Sequence, residues 1–200
     1  MFFKRWAILF SHPADYTPVC TTELGTVARL SKKGDFSSRN TKVIAVSCDG
    51  VDSHKGWIAD IVASQGVEGE FPYPIIADSK RELAVQLGML DADDKDSKGM
   101  PVSARAVFIV GPDHKLKLSI LYPATTGRNF DEILRVIDSL QLTAKYSVAT
   151  PANWKDGEKC MITPAVSAED AVTKFPKGFE AVQVPSGKGY IRITPQPNRD

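Results

Sequence analysis

Short apolar runs alternate with helical stretches along the first 142 residues, and that alternation restricts the fold more than any other feature of the chain. "RWAILF" (5–10), "TKVIAVSCD" (41–49) and "YPIIAD" (73–78) read as buried strands, each running into polar residues. Between and after them lie helical stretches. "TTELGTVARLSKK" (21–33) carries Leu24, Val27, Ala28 and Leu30 at helical spacing, followed by "SHKGWIADIVASQG" (53–66) and "KRELAVQLGML" (80–90). "SARAVFIVGPDHKLKLSILYP" (103–123) reads as two strands joined by a turn at Gly111-Pro112-Asp113-His114. "NFDEILRVIDSLQL" (129–142) is the clearest helix, with Asn129 as its cap and Glu132 completing a capping box. The order β-α-β-α-β-α-β-β-α predicts a mostly parallel, three-layer α/β sheet with an antiparallel hairpin at its edge. Right-handed crossovers leave the ends of the first two strands on one edge, where such sheets place their chemistry, and the loop 11–19 lies there.

After Leu142 the texture changes. Residues 143–200 contain Pro151, Pro164, Pro176, Pro185, Pro195 and Pro197, one short amphipathic helix at "SAEDAVTKF" (167–175) opened by Ser167, and one further candidate strand, "GYIRITP" (189–195). That is too little for a core of its own. The expected organisation is a main domain over 1–142 and an arm or small subdomain over 143–200, packed on the main domain or on a second subunit. No internal repeat is present.

A composition of 42% hydrophobic and 24% charged residues suits a soluble globular protein, and a formal charge of +1 gives no reason to expect nucleic acid or an acidic membrane as the main partner. No apolar run approaches the length of a membrane span, and "MFFKRWAILFSHP" turns polar too soon for a secretory signal. The three cysteines, Cys20, Cys48 and Cys160, are odd in number and widely spaced, which argues against a disulfide framework or a zinc site. A reducing, cytoplasmic compartment is therefore expected.

Cys20 stands out by its surroundings, "SHPADYTPVCTTELG" (11–25). Pro18 suits the first turn of a helix, so the positive end of that helix's dipole would lie beside the thiol and favour its thiolate, the nucleophilic form. A fixed cation would add to this. His12 is near in sequence but only partly charged at neutral pH, whereas an arginine is always protonated. Arg105 opens the buried run "AVFIV", and is either a solvated strand-end residue or the buried counter-charge. Thr17 either caps the helix or aims its hydroxyl at the thiolate or at a bound oxygen ligand.

The same stretch resembles the active-site signature of peroxiredoxins, P-x-x-x-T-x-x-C, met here by Pro13, Thr17 and Cys20. Similarity continues through "PYPIIAD", "RELAVQLGMLD", "KGMPVSARAVFIVGPDHKLKLSILYPATTGRNFDEILRVIDSLQLTA", "VATPANWKDGE" and "VPSGKGYIRITPQP", and closely matches the one-cysteine, peroxiredoxin 6 subgroup. The resemblance implies a thioredoxin-like three-layer fold with a mixed central sheet and a C-terminal arm. It implies that Cys20 is the peroxidatic cysteine, attacking a hydroperoxide to give a sulfenic acid. Thr17 and Arg105 would hold the peroxide oxygens, Pro13 would shape the loop, His12 would line the pocket, and Arg128 would support the site. Two-cysteine members resolve the sulfenic acid with a cysteine in the C-terminal arm. The corresponding "VATPANW" (148–154) has none, so an external thiol is implied: glutathione, delivered by a glutathione transferase, with no bound cofactor and no metal. Cys48 and Cys160 are expected to be bystanders. The resemblance further implies a homodimer formed by pairing sheets edge to edge. A peroxide sensor or chaperone using the same Cys20 is the alternative from another class.

One departure concerns a second activity of the subgroup. Its members normally begin some two dozen residues earlier, with a hairpin and a "GDSWG" segment whose serine, associated with phospholipase A2 activity, aligns with Arg5. The upstream histidine of that arrangement has no counterpart here, and Asp113 alone remains of it. Phospholipase activity is therefore expected to be absent.

Overall fold

The computed structural model describes residues 5–198, apart from the side chain of Ala92; residues 1–4 of the apolar N-terminal stretch lie outside it. The chain divides into two compact units, Met1–Phe130 and Asp131–Asp200.

In the first unit, β1 (Trp6–Ser11), α1 (Pro18–Lys33), β2 (Thr41–Ser47), α2 (Val51–Gln65) and β3 (Ile75–Ala77) follow the expected alternation. Next come α3 (Glu82–Gln86), β4 (Leu90–Lys95), β5 (Pro101–Ser103), β6 (Arg105–Val110) and β7 (Leu116–Tyr122). The five-stranded sheet has the order β3-β2-β1-β6-β7. β1, β2 and β3 are parallel, and β6 runs antiparallel to both β1 and β7, so the sheet is mixed with β6 alone reversed.

Strand alternation sets the two faces. On β1, Leu9 joins Val46, Ala84, Met89, Ala106 and Phe108 in the cluster under α3. Phe10 points the other way and meets the edge of Tyr73, whose hydroxyl donates to the Leu24 carbonyl of α1 at 2.8 Å. Because Phe10 pairs with Val107 in register, Arg105 and Val107 share the α1 face while Ala106 and Phe108 share the other. Helices on both faces give the three layers that the alternation predicts.

α1 starts at Pro18 and stops at Gly34, whose φ of 86° lets Asp35 N–H reach the Leu30 carbonyl at 3.0 Å. α2 crosses it closely. A Cβ on Gly25 would lie 2.3 Å from Gln65 Cγ and 2.4 Å from Gln65 Cβ, and Arg29 Nη1 donates to the Gln65 carbonyl at 2.7 Å. Gly25→Ala gains about 1 kcal/mol of helix propensity but overpacks this crossing by roughly 1–3 kcal/mol. Thermal melts are expected to show a net loss of a few degrees, on the order of 2–4 °C per kcal/mol for a chain of this size.

The helix expected over 80–90 is shorter than its pattern. Arg81 sits at φ 61° just before α3 and Gly88 at φ 62° just after, so only Glu82–Gln86 are helical. Leu90 then leaves as β4 and pairs with β5 in a two-stranded hairpin that the polar run "DADDK" conceals from a reading by apolar period.

The second unit comprises α4 (Phe130–Lys145, all but its first residue), β8 (Val148–Ala149), β9 (Cys160–Ile162), α5 (Ala168–Lys174), β10 (Glu180–Ala181) and β11 (Arg192–Thr194). Its sheet has the order β10-β11-β9-β8. The expectation that these residues lack a core of their own does not hold. Leu142, Val148, Trp154, Cys160, Ile162, Val166, Ala171 and Phe175 form a buried cluster, with Trp154 and Cys160 fully enclosed. Small elements suffice because α4 contributes to the same unit: Arg135 Nη1 reaches the Trp154 carbonyl at 3.3 Å and Ser139 Oγ meets Thr150 Oγ1 at 2.6 Å. By compactness the chain divides after Phe130, the first residue of α4, rather than after Leu142. Ser167 caps α5 by accepting from Asp170 N–H at 3.0 Å.

Candidate active site

Cys20 is the third residue of α1, after the N-cap Thr17 and with Pro18 at the first helical position, and it is completely buried. The helix face that carries it also carries Glu23, Leu24 and Val27, all buried against the sheet. No acidic residue stands in the first turn, so the partial positive charge of the helix end meets no opposing side chain from α1 itself there.

Arg105 comes from the first position of β6 and is 3% exposed. Its Nη1 donates to Cys20 Sγ at 3.3 Å and to Glu23 Oε2 at 2.7 Å, while Nε and Nη2 both donate to the Ala124 carbonyl, at 2.9 and 2.6 Å. Of the two readings the sequence leaves open for Arg105, the structure therefore places it inside. The backbone beside it is pinned by Ser11, whose hydroxyl donates to the Ala104 carbonyl at 2.6 Å and accepts from Ala106 N–H at 3.1 Å.

Arg128 lies behind this pair. It donates to Glu23 from its backbone N–H (2.7 Å), Nε (2.9 Å) and Nη2 (2.8 Å), gives Nη1 to the Ala106 carbonyl at 2.8 Å, and stacks over the Phe10 ring. Glu23 thus accepts four hydrogen bonds from two arginines. Burial works against its charge, but the hydrogen bonds and charge of Arg128, with the charge of Arg105, hold its carboxyl below the ordinary glutamate value. Sequence reasoning missed Glu23. The available signal was a glutamate one helical turn after Cys20, inside the apolar stripe of Leu24, Val27 and Ala28, where an ionised carboxylate needs cationic partners.

The loop between β1 and α1 is held by a second network. Thr17 Oγ1 donates to the Ala14 carbonyl at 2.9 Å rather than to the sulfur. Its own carbonyl accepts from Thr21 N–H at 3.0 Å and Thr21 Oγ1 at 2.8 Å, and Trp57 Nε1 of α2 donates to Thr21 Oγ1 at 3.1 Å. Pro13 is buried in the same loop. His12 is fully buried, packs on the Trp57 ring, and meets Asp15 Oδ1 through Nε2 at 2.9 Å. Asp15 Oδ2 is met by His54 Nδ1 and accepts from Ser53 Oγ, each at 2.7 Å. Burial opposes the Asp15 charge, yet these three contacts hold its carboxyl well below the usual range. Burial lowers His12, so the neutral ring donates from Nε2 and leaves Nδ1 as a bare acceptor. For His54, burial is outweighed by the hydrogen bond and charge of Asp15, which raise it. The group with cation-binding geometry among the described residues is His12, Asp15 and Asp49, whose ligand atoms lie within 4.8 Å of one another; each of its carboxylates already accepts hydrogen bonds from the protein.

The other two thiols have surroundings of their own. Cys48 is half-buried, with Sγ 3.6 Å from Ser103 Oγ, and burial foremost raises its thiol. Cys160 is enclosed in the core of the second unit. All three are free of disulfides. Arg5 is exposed just before β1, and Asp113 lies in the β6–β7 turn, paired with Lys117 Nζ at 2.6 Å.

Comparison with known proteins agrees with this architecture. Residues 2–119 match the AhpC/TSA family and residues 139–178 match the C-terminal domain of 1-Cys peroxiredoxin. Peroxiredoxin-6 of Bos taurus is 61% identical over 194 residues, covering 96% of this chain and 86% of the relative, and that of Homo sapiens is 60% identical over the same spans. A cysteine-to-serine mutant of peroxiredoxin 6 from Arenicola marina superposes with a TM-score of 0.94 at 64% identity, covering 98% of this chain and 87% of that one. A yeast mitochondrial 1-Cys peroxiredoxin, studied for thiol resolution via glutathione/thioredoxin systems, gives 0.86 at 42% identity, covering 96% and 87%. With a thioredoxin-like mixed sheet, a thiol at a helix start and both family matches in order along it, the chain belongs to the AhpC/TSA family of peroxiredoxins, and within it to those of the 1-Cys type.

Proposed function

We infer that the chain is a thiol peroxidase that reduces hydroperoxides through a sulfenic acid on Cys20. The observation that carries this reading is the 3.3 Å contact from the Arg105 guanidinium to Cys20 Sγ at the start of α1. Sulfur attacks the terminal oxygen of the hydroperoxide in line. The S–O bond forms as the O–O bond breaks, and the departing oxygen takes up a proton to leave as water or an alcohol. Negative charge spreads over S···O···O on the way, and a fixed guanidinium stabilises it without reorganising. Thr17 complements this. Its proton is committed to the Ala14 carbonyl, so its oxygen offers lone pairs to the O–H of the peroxide. Arg128 and Glu23 touch no reacting atom in this scheme; they position Arg105.

Reduction of the sulfenic acid uses an external thiol. The first thiol condenses with it, releasing water and leaving a mixed disulfide; a second thiol attacks the first thiol's sulfur, expels the Cys20 thiolate and carries the first away as their disulfide. Glutathione, presented by a glutathione transferase in a reducing, cytoplasmic compartment, is the proposed reductant. It fits the burial of Cys160 away from any such role. Because Cys20 is fully enclosed, a tripeptide thiol reaches it only when the first turn of α1 opens. A homodimer is proposed through β7, which ends the sheet and presents Leu116 and Leu121 at 55% and 67% exposure.

The test mixes reduced protein with equimolar hydrogen peroxide, traps sulfenic acid with dimedone, and maps the adduct by mass spectrometry. The expected adduct lies on the peptide containing Cys20, and added glutathione suppresses it while being oxidised to its disulfide. An adduct confined to Cys48 or Cys160 overturns the assignment. Trapping at Cys20 without suppression by glutathione removes only the choice of reductant.

A further inference from the structure

We propose that Asp49 is a positioning residue for the peroxidase reaction, setting the direction of the Thr17 hydroxyl through the peptide that joins Ala14 to Asp15. The proposal rests on the reading of Thr17 as a peroxide ligand.

That peptide is gripped on both sides. Its N–H, on Asp15, donates to Asp49 Oδ2 at 3.0 Å, and its carbonyl, on Ala14, accepts from Thr17 Oγ1 at 2.9 Å. In a planar trans peptide the N–H and C=O point in opposite directions, so fixing one fixes the other. Asp49 is itself anchored at the end of β2: Oδ2 accepts from Ser47 Oγ at 2.9 Å, and Ser47 Oγ lies 3.2 Å from Asp49 N–H. The Asp15 carboxylate clamps the loop to α2 through Ser53 and His54, but it does not address this peptide plane. Asp49 does.

The consequence is chemical rather than merely structural. A hydroxyl rotates freely about its C–O bond and can show a neighbour either its proton or its lone pairs. The Ala14 carbonyl removes that choice by taking the proton, which leaves an acceptor facing the peroxide O–H. Without Asp49 the peptide is free to turn, the carbonyl loses its aim, and Thr17 presents its proton and its lone pairs in alternation. Asp49 makes no contact with Cys20, so the sulfur and its Arg105 partner stay as they are.

The experiment measures the second-order rate of Cys20 oxidation by hydrogen peroxide, and in parallel its alkylation by iodoacetamide, which needs no peroxide ligand. The variants are Thr17→Val, Asp49→Ala, Asp49→Asn and the double Thr17→Val/Asp49→Ala. Thr17→Val and Asp49→Ala are each expected to slow oxidation by about threefold to tenfold, the worth of one hydrogen bond. The double variant should be no slower than Thr17→Val alone, since residues acting through one another are not additive. Asp49→Asn keeps a carbonyl oxygen for the Asp15 N–H and should restore most of the rate. Alkylation should be unchanged throughout, which general damage to the loop would not allow. Ser47→Ala, a milder way to loosen the same carboxylate, must show the same dependence on Thr17. Full additivity in the double variant, or wild-type oxidation in Asp49→Ala beside a slow Thr17→Val, overturns the proposal. A wild-type rate in Thr17→Val removes the reading of Thr17 itself, and the inference falls with it.

Discussion

Glu23→Ala is expected to destabilise the fold by about 3–5 kcal/mol, the cost of breaking a buried ion pair from one side. Two guanidinium groups lose their shared carboxylate, and both are buried: Arg105 at 3% exposure and Arg128 at 7%. Arg128 keeps the Ala106 carbonyl and Arg105 keeps the Ala124 carbonyl, but neither neutral partner balances a charge. Thermal unfolding should fall by on the order of 10 °C for a chain of this length. Oxidation of Cys20 should slow as well, because the Glu23 contact at 2.7 Å orients the same Nη1 that reaches the sulfur. Glu23→Gln is the sharper comparison. It preserves shape while removing charge, so a melt as low as that of the alanine variant would show that electrostatics and not packing dominates. A Glu23→Ala protein that melts like wild type would refute this charge pairing.

Arg105→Met separates catalysis from stability. This change leaves Glu23 with three donors from Arg128, so the carboxylate remains paired and the fold should survive with a smaller loss than Glu23→Ala causes. What disappears is the donor on the sulfur. One well-placed donor to developing charge is worth roughly 3 kcal/mol, which corresponds to about a hundredfold in rate. Stopped-flow oxidation of Cys20 should therefore slow by about two orders of magnitude, and at least tenfold. Slowing of less than threefold would place the transition-state charge elsewhere. Together the two variants predict opposite rankings: Glu23→Ala worse in melting, Arg105→Met worse relative to its stability in rate.

Much of this arrangement is legible before any coordinates. The apolar runs place β1, β2, β3 and β6, because strands inside a covered sheet cannot be polar, and the turn at Gly111-Pro112-Asp113-His114 places the exposed edge strand β7. Pro18 marks where α1 begins, and that alone sets Cys20 at a helix start. Arg105 is legible as a candidate because it opens the buried run "AVFIV", but Arg128 enters only through the family resemblance, since a loop arginine carries no local sign of what it touches. Glu23 escapes notice for a related reason: its partners lie on β6 and after β7, and helical spacing cannot reveal contacts made across a fold. The β4–β5 hairpin escapes because the acid-rich β4 has no apolar period and β5 is only three residues long. The core of the second unit escapes because its residues come singly from short elements, Trp154 from a turn, Cys160 from β9 and Phe175 from the end of α5. Asp15 and Asp49 look like loop aspartates, and only their hydrogen bonds distinguish them.

The parts that make Cys20 reactive are far apart along the chain. Glu23 is separated from its arginine partners by 82 and 105 positions, and the sulfur from Arg105 by 85. A chain still emerging from the ribosome therefore carries an unassisted thiol, with no guanidinium against it until β6 is docked beside β1. Sensitivity to peroxide is switched on by completion of the fold, so unfinished copies are spared the oxidation that the finished protein exists to absorb.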